Sequence, residues 1–298
     1  LSSTEYFNFT GLASNYSEAL QHIESGRSDV VLEIPASFET DLTNSRSSSI
    51  MIAANAVNET KANLGTSYLT AIIADFASQF GGEVPVNISV ESSYRFNPTM
   101  DYKIPMIPSL IVLIITLIVG FLPSMNIVIE KENGTIEQIN VTPVPKYSFI
   151  LGKLIPYWII GVVVLTLSLV VSYLMYSLPP QGSLILLYGI SIFYILGISA
   201  LGLIISNYST IMQQAMFTIF FVIIIFILMS GILTPISSMP QWAQSIASVN
   251  PLTYFSEIMR MIYLKGSSFS DLIPYIKPLF VFFVFIITWA ILSYKKRG

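Results

Sequence analysis

Residues 130–145 read EKENGTIEQINVTPVP, a short charged and polar stretch between two long apolar ones. Upstream, residues 104–129 carry no charged side chain. Downstream, residues 154–256 contain no Asp, Glu, Lys, Arg or His. About 20 consecutive apolar residues suffice to cross a bilayer as a helix. The polar island therefore marks a place where the chain meets water between two membrane-sized segments.

The whole chain agrees with that reading. Of its 298 residues, 53% are hydrophobic and only 10% charged. Soluble domains average about 25% charged residues. Mean hydropathy is +0.71, which places the chain among integral membrane proteins. The deviation is uneven: residues 1–103 hold most of the acids and read as an ordinary water-soluble segment. The net charge of −3 names no partner. No basic patch interleaved with aromatics occurs, so nucleic acid is not an expected ligand. Cysteine is absent, which suits an extracytoplasmic domain without disulfides as well as it suits a cytosolic one. The opening LSSTEYFNFT has neither the basic start nor the apolar core of a signal peptide.

Residues 1–102 read as a small α/β unit. Residues 16–25 form a helix stopped by Gly26. Residues 29–34 and 49–54 are strands, the first ended by Pro35. Residues 59–80 form a long helix, with Leu64, Tyr68, Ile72 and Phe76 at four-residue spacing and Gly81-Gly82 after it. Residues 84–90 alternate as a third strand, which Pro85 places at an edge. His22 is expected to face solvent, since no second His or Cys exists to complete a metal site.

The remainder reads as a polytopic α-helical membrane protein with five spans: 104–129, 149–178, 183–206, 213–230 and 273–294. Residues 179–182 and 207–212 only turn the chain round. Residues 231–272 are too polar and too punctuated by Pro235, Pro240 and Pro251 for one span, yet rich in apolar and aromatic side chains. Short helices at 246–248 and 252–263 are expected at or dipping into the membrane surface, with Trp242, Tyr254 and Tyr263 at the headgroup level. Lys131, Lys146 and Lys153 flank the island, and Lys295-Lys296-Arg297 follow the last span. Positive residues mark the cytoplasm. The island and the C-terminus are then inside, and residues 1–102 and 231–272 outside. Five spans with that orientation lead to the expectation that a further anchoring span precedes Leu1, making six in the intact subunit.

The island itself has internal punctuation. Glu130, Lys131 and Glu132 continue the preceding helix, and Asn133-Gly134 breaks it. Thr135 with Gln138 three residues on fits a capping box. Ile136 and Ile139 share one face of the short helix that follows, Glu137 and Asn140 point elsewhere, and Pro143 and Pro145 end it. Such a segment is either a docking surface or a solvated interfacial loop, and the pattern leaves both open. No G-x-x-x-x-G-K-S/T phosphate loop occurs, since Gly152-Lys153 lacks the upstream glycine and the following hydroxyl. ATP hydrolysis is not expected of this chain.

The run from Glu130 to Ile139, followed by Val141-Thr142-Pro143-Val144 and Gly152-Lys153, resembles the E-K/R-E-x-G-T-x-E-x-L…T-P…G-K signature of type 2 ATP-binding-cassette (ABC) exporter permeases. Ile34-Pro35-Ala36-Ser37-Phe38 resembles the I-P-x-x-F of their extracytoplasmic domain, and Asn55-Ala56-Val57-Asn58 its D/N-x-x-N segment. Ser230-Gly231 with Pro235, Met239-Pro240, Asn250-Pro251-Leu252-Thr253-Tyr254 and Arg260 resembles the S-G-x-x-x-P…M-P…N-P-L-T-Y…R stretch before their last span. Ile139 departs from the family's more frequent Leu and keeps an apolar side chain. The resemblance implies six spans, a large external domain between the first two, and re-entrant helices before the last. It implies a coupling helix formed by Glu130, Lys131, Glu132, Gly134, Thr135, Ile136, Glu137, Gln138 and Ile139.

Further expectations follow from it. The partners are cytosolic ABC ATPase subunits, which carry the ATP and Mg, a second permease copy or a paralogue, the lipid bilayer, and optionally a membrane-fusion protein. The location is the bacterial plasma (inner) membrane. The cargo is hydrophobic or amphipathic, drug-like or lipid-like, because no charge is buried in the spans to serve ion coupling. Phe217, Thr218, Phe220 and Phe221 line the path, or else make ordinary helix and lipid contacts. Glu257 and Arg260, three apart on a helix, form an external gate or simply anchor an interfacial helix. The alternative function is a non-transporting scaffold or receptor on the same fold. A membrane-embedded enzyme would need an acid–base or metal cluster in the spans, and the spans carry none.

Overall fold

The computed structural model describes residues 7–43, 48–56, 59–80, 88–95, 101, 103–136, 138 and 145–293. The chain divides into two compact units, residues 1–105 and 106–298.

In the first unit, helix α1 (Tyr16–Glu24) starts on Asn15, whose side chain accepts from the Glu18 amide, and ends before Gly26, at φ 75°. Strand β1 (Val30–Glu33) pairs antiparallel with β2 (Ser48–Asn55), and β2 pairs parallel with β3 (Ile88–Arg95). Helix α2 (Phe38–Thr43) lies between β1 and β2 in sequence. Its six residues, FETDLT, show no apolar period, which is why it escapes sequence reading. Helix α3 (Glu59–Phe80) is the crossover that a parallel pair requires. Strand β2 is central, and Ile50, Ile52, Ala53 and Ala54 are buried.

The packed face of α3 is not the expected one. Ala62, Leu69 and Ile73 are buried, whereas Leu64, Tyr68 and Phe76 are exposed. The reason lies at Gly65. A Cβ there would stand 2.8 Å from Val30 Cγ2, so the helix meets the sheet along its small residues, one stripe away from the bulkier ridge. The described part of the third strand is Ile88–Arg95; residues 81–87, with Pro85, lie outside the described residues. His22 is half-buried at the end of α1.

The second unit is a helix bundle. Its helices are α4 (Lys103–Glu132), α5 (Lys146–Tyr176), α6 (Leu184–Tyr208), α7 (Met212–Leu228), α8 (Gln241–Ala247), α9 (Pro251–Arg260) and α10 (Phe269–Ser293). A π-helical segment, Met261–Lys265, follows α9. Helices α4, α5, α6 and α10 are long and apolar enough to cross a membrane, and α7 is a shorter apolar helix of 17 residues. At a rise of about 1.5 Å per residue it measures roughly 26 Å.

Helix α4 packs against α5, α6 and α7. Tyr194 of α6 and Thr116 of α4 share a buried hydrogen bond of 2.6 Å. A Cβ on Gly202 of α6 would overlap the carbonyl oxygen of Gly120 and lie 3.2 Å from the Ser124 nitrogen. A Cβ on Gly161 of α5 would stand 2.9 Å from Val119. Glycines thus let α6 approach the α4 backbone and α5 approach the Val119 side chain. One turn beyond Pro123, the amides of Ile127 and Val128 both donate to Ser206 Oγ of α6, at 2.9 and 3.0 Å.

Helices α4, α5, α6, α7 and α10 alternate in direction, so the bundle has two distinct ends. One gathers the end of α4, the starts of α5 and α7, and the ends of α6 and α10, where Asn207 Nδ2 donates to Ser293 Oγ at 2.8 Å. The other is closed by residues 231–272. There α8 covers 241–247 where a helix at 246–248 is expected, and α9 with the π segment covers 251–265, which contains the expected 252–263. Helix α9 is buried on nearly every side, and Phe255 stacks on Tyr194 with ring centroids 4.0 Å apart. Trp242 is exposed, but Tyr263 is fully buried rather than at a headgroup level. Its hydroxyl bonds Ser172 of α5 and the Leu178 carbonyl. The π segment presents carbonyls sideways, and Gln181 and Gly182 of the α5–α6 turn donate to Tyr263 and Ile262 oxygens at 3.0 Å each.

Candidate functional site

Helix α4 runs into the island and stops on Gly134, at φ 73°. The Gly134 amide bonds the Lys131 carbonyl and the Thr135 amide bonds the Glu130 carbonyl, at 3.2 and 3.0 Å. This double closure is a Schellman motif, which a residue without Cβ accommodates at least cost. The Thr135 hydroxyl also turns back to the Glu130 carbonyl, so it serves to close α4. Ile136 is half-buried against a cluster containing Ile127, Ile150, Leu154 and Ile204. The stop is therefore rigid on both its polar and its apolar side. Glu137, Ile139 and residues 140–144 lie outside the described residues.

The charged residues before the stop each meet a different neighbouring helix. Glu130 pairs with Lys153 of α5, and both side chains are largely withdrawn from solvent. Lys131 Nζ donates to three backbone carbonyls at the end of α6: Ser206 at 3.1 Å, Asn207 at 2.5 Å and Ser209 at 2.9 Å. Glu132 Oε1 accepts from the Met212 amide, the first of α7, at 3.0 Å.

Local sequence explains why these side chains are recruited. Helix α6 ends on Ser209 in an extended conformation, with no left-handed glycine to close its last carbonyls. Helix α7 begins after Ile211, whose side chain has no oxygen to cap an amide. Helix ends leave carbonyls and amides without partners, negative at one end and positive at the other. A lysine at the end of α6 and a glutamate at the start of α7 match both signs. The remaining island residues that are described (Asn133, Gly134, Thr135 and Gln138), together with part of Glu132, are exposed. They form an outward strip on a fixed mount. Beside it, between α4 and α5, Asn126, Ser148, Phe149, Gly152, Lys153 and Pro156 line an open cleft of about 480 Å³.

The other sequence-predicted residues fall in two places. Phe217, Thr218, Phe220 and Phe221 lie on the outward face of α7, opposite the buried Ala215, Ile219 and Ile223. Phe220 meets Phe121 of α4 edge-on, with centroids 6.4 Å apart. Glu257 and Arg260 do face each other, at 3.6 Å, but unequally: the arginine side chain is 8% exposed and the glutamate 36%. Arg260 Nε also donates to Ser109 Oγ of α4 at 3.0 Å. Burial lowers the guanidinium from its ordinary value, and the Glu257 charge opposes that shift. Asn250, which the sequence offers only as part of a motif, ties two helices together. Its oxygen caps α9 at the Leu252 amide, and its nitrogen donates to the Phe226 carbonyl of α7 at 2.7 Å.

Fold and site together define a multi-pass membrane protein with a charged, rigidly closed loop at one end of an apolar bundle. The profile of the ABC-2 family transporter protein matches residues 1–295. The probable multidrug ABC transporter permease YbhR of Escherichia coli strain K12 is 30% identical over 261 residues, covering 87% of this chain and 71% of that one. The probable multidrug ABC transporter permease YbhS of the same strain is 26% identical, covering 90% and 72%. Its inner membrane transport permease YhhJ is 26% identical, covering 92% and 75%. The chain belongs to the ABC-2 family of transporter permeases.

Proposed function

We propose that this chain is the permease subunit of an ABC exporter. It moves a hydrophobic or amphipathic substrate, drug-like or lipid-like, out of the cell, and separate cytosolic ATPase subunits drive it. The observation that carries the reading is the outward strip Asn133, Gly134, Thr135 and Gln138, held on a helix stop that is locked from both sides. A loop that only reversed direction would not need such a mount. A surface that receives force from a partner does. The names of YbhR and YbhS speak of multidrug transport, and spans that are apolar apart from charges in their first turns, such as Lys153 and Lys277, fit a cargo of that kind.

In this reading α4, α5, α6, α7 and α10 are the five crossings, with α7 at the short limit for a bilayer. Lysines around the island, and Lys295-Lys296-Arg297 after α10, put that end in the cytoplasm. Residues 1–102 and 231–272 are then extracytoplasmic, and the membrane is a bacterial inner membrane. A second copy or a paralogue packs on the outward face of α7, so that Phe217, Thr218, Phe220 and Phe221 border the path. ATP and Mg reside on the partner ATPase.

The test uses everted membrane vesicles containing the full-length protein and a co-expressed ABC ATPase. ATP should drive uptake of an amphipathic dye, and a cysteine placed by Gln138→Cys should cross-link to the ATPase. Vesicles that take up no dye, with a cysteine that traps no ATPase, would overturn the reading.

A further inference from the structure

The structure assigns Glu130, Lys131 and Glu132 a different task from the exposed strip beyond them: they are positioning residues that tie the end of α4 to α5, α6 and α7. This rests on the proposed drive at the island and says how that drive reaches the spans.

The argument starts from what each side chain touches. None of the three points its charge only at water. Glu130 is held by Lys153, eight residues into α5. Lys131 gathers three carbonyls at the end of α6. Glu132 completes the first amide of α7. Consecutive residues on a helix point about 100° apart, so three in a row can reach three neighbours that surround one helix. At this end α4 is bordered by α5, α6 and α7. A push on the loop therefore cannot move α4 alone. It carries α6 and α7 through their end groups and α5 through the ion pair. The Schellman closure at Gly134 makes the joint between strip and staple stiff, because its bonds run from the strip back to the carbonyls of Glu130 and Lys131.

Docking and stapling predict different results. A docking residue loses partner binding when changed. A staple residue keeps partner binding and loses transmission. The chain has no cysteine, so single cysteines can be introduced cleanly. In the full-length protein with its ATPase, Lys131→Met should leave cross-linking from Gln138→Cys at the level of the parent, while ATP-driven dye uptake falls by about tenfold, the scale of a lost charge-assisted hydrogen bond. Lys131→Arg should restore uptake. Reversing the ion pair, with Glu130→Lys and Lys153→Glu together, should recover uptake that either change alone abolishes.

A second measurement does not depend on the ATPase. Spin labels at Asn133→Cys and Gln213→Cys, both exposed positions, should give one narrow distance in the parent permease. Lys131→Met or Glu132→Ala should broaden it. Two results overturn the staple: loss of Gln138 cross-linking in step with loss of uptake, or an unchanged distance distribution in both variants. If no ATPase is trapped even by the parent, the exporter reading fails by itself, and the distance measurement still decides the staple.

Discussion

Gly202→Ala adds one methyl group where α6 crosses α4. The new Cβ would overlap the Gly120 carbonyl oxygen, with Ser124 N at 3.2 Å and Pro123 Cβ at 3.3 Å. All three belong to the backbone or ring of a helix, so none can swing aside as a flexible side chain would. A carbon–oxygen contact settles near 3.3–3.6 Å, and the two helices must part by roughly an ångström to reach it. Overpacking of this kind costs about 1–3 kcal/mol. The change also brings alanine's better helix propensity, worth about 1 kcal/mol, which would mask part of the cost. Gly189→Ala removes that ambiguity. It lies in the same helix, and a Cβ there meets nothing within 4 Å. The difference between the two variants isolates the crossing. At about 2–4 °C per kcal/mol for a unit of this size, Gly202→Ala should melt about 2–12 °C below Gly189→Ala in the same detergent. Equal melting temperatures would refute the close approach of α4 and α6, on which the link from Lys131 to the end of α6 depends.

Asn250→Ala removes a cap from α9 and a bond to the end of α7, and should lower stability by about 1–2 kcal/mol, read as a lower melting temperature with Thr253→Ala as the milder comparison. The Glu257–Arg260 pair should respond asymmetrically. Glu257→Gln leaves a buried guanidinium without its counter-charge, whereas Arg260→Met keeps the apolar stem and leaves only a half-exposed carboxylate, so the first should cost more than the second. Dye uptake that survives Arg260→Met unchanged would also end the gate reading, leaving Arg260 as an anchor to Ser109.

How much of this was legible beforehand differs by element. Long apolar runs mark α4, α5, α6 and α10 because length and hydropathy are properties of the segment itself. The packed face of α3 is not such a property. Leu64, Tyr68, Ile72 and Phe76 make the more regular apolar stripe, yet a helix approaches a sheet where its residues are small, at Ala62 and Gly65. Tyr263 misled for a related reason. A tyrosine near a membrane surface reads as a headgroup anchor, and only the fold shows that a π segment turns it towards Ser172. At the island, Glu130 and Lys131 read as docking residues through the family resemblance, whereas the pattern alone leaves a solvated loop open as well. Their partners include backbone groups about 75 residues away, and an unsatisfied carbonyl has no letter in the sequence. A signal did exist: α6 ends without a glycine and α7 begins without a capping side chain. Two incomplete helix ends beside a run of alternating charge would have pointed to the staple.

The polar contacts of the bundle are concentrated at its ends, and this constrains how it can move. The island end is tied by Glu130, Lys131, Glu132 and Asn207. The far end is tied by Asn250, Arg260 and Tyr263. Between them, α4 meets α5 and α6 through aliphatic side chains, glycines and the Thr116–Tyr194 hydroxyl pair. Helices joined at both ends cannot slide past one another without breaking charge-assisted bonds, which are roughly twice as strong as neutral ones. They can tilt together at little cost. A force applied at Gly134 and Thr135 is then expected to rotate α4, α5, α6 and α7 as one body, and the opening must occur at a surface outside that body. The exposed face of α7, with Phe217 and Phe221, is such a surface. With a second subunit packed on that face, as proposed above, the moving boundary lies between the subunits rather than within one, and the integrity of the staple becomes a condition for opening it.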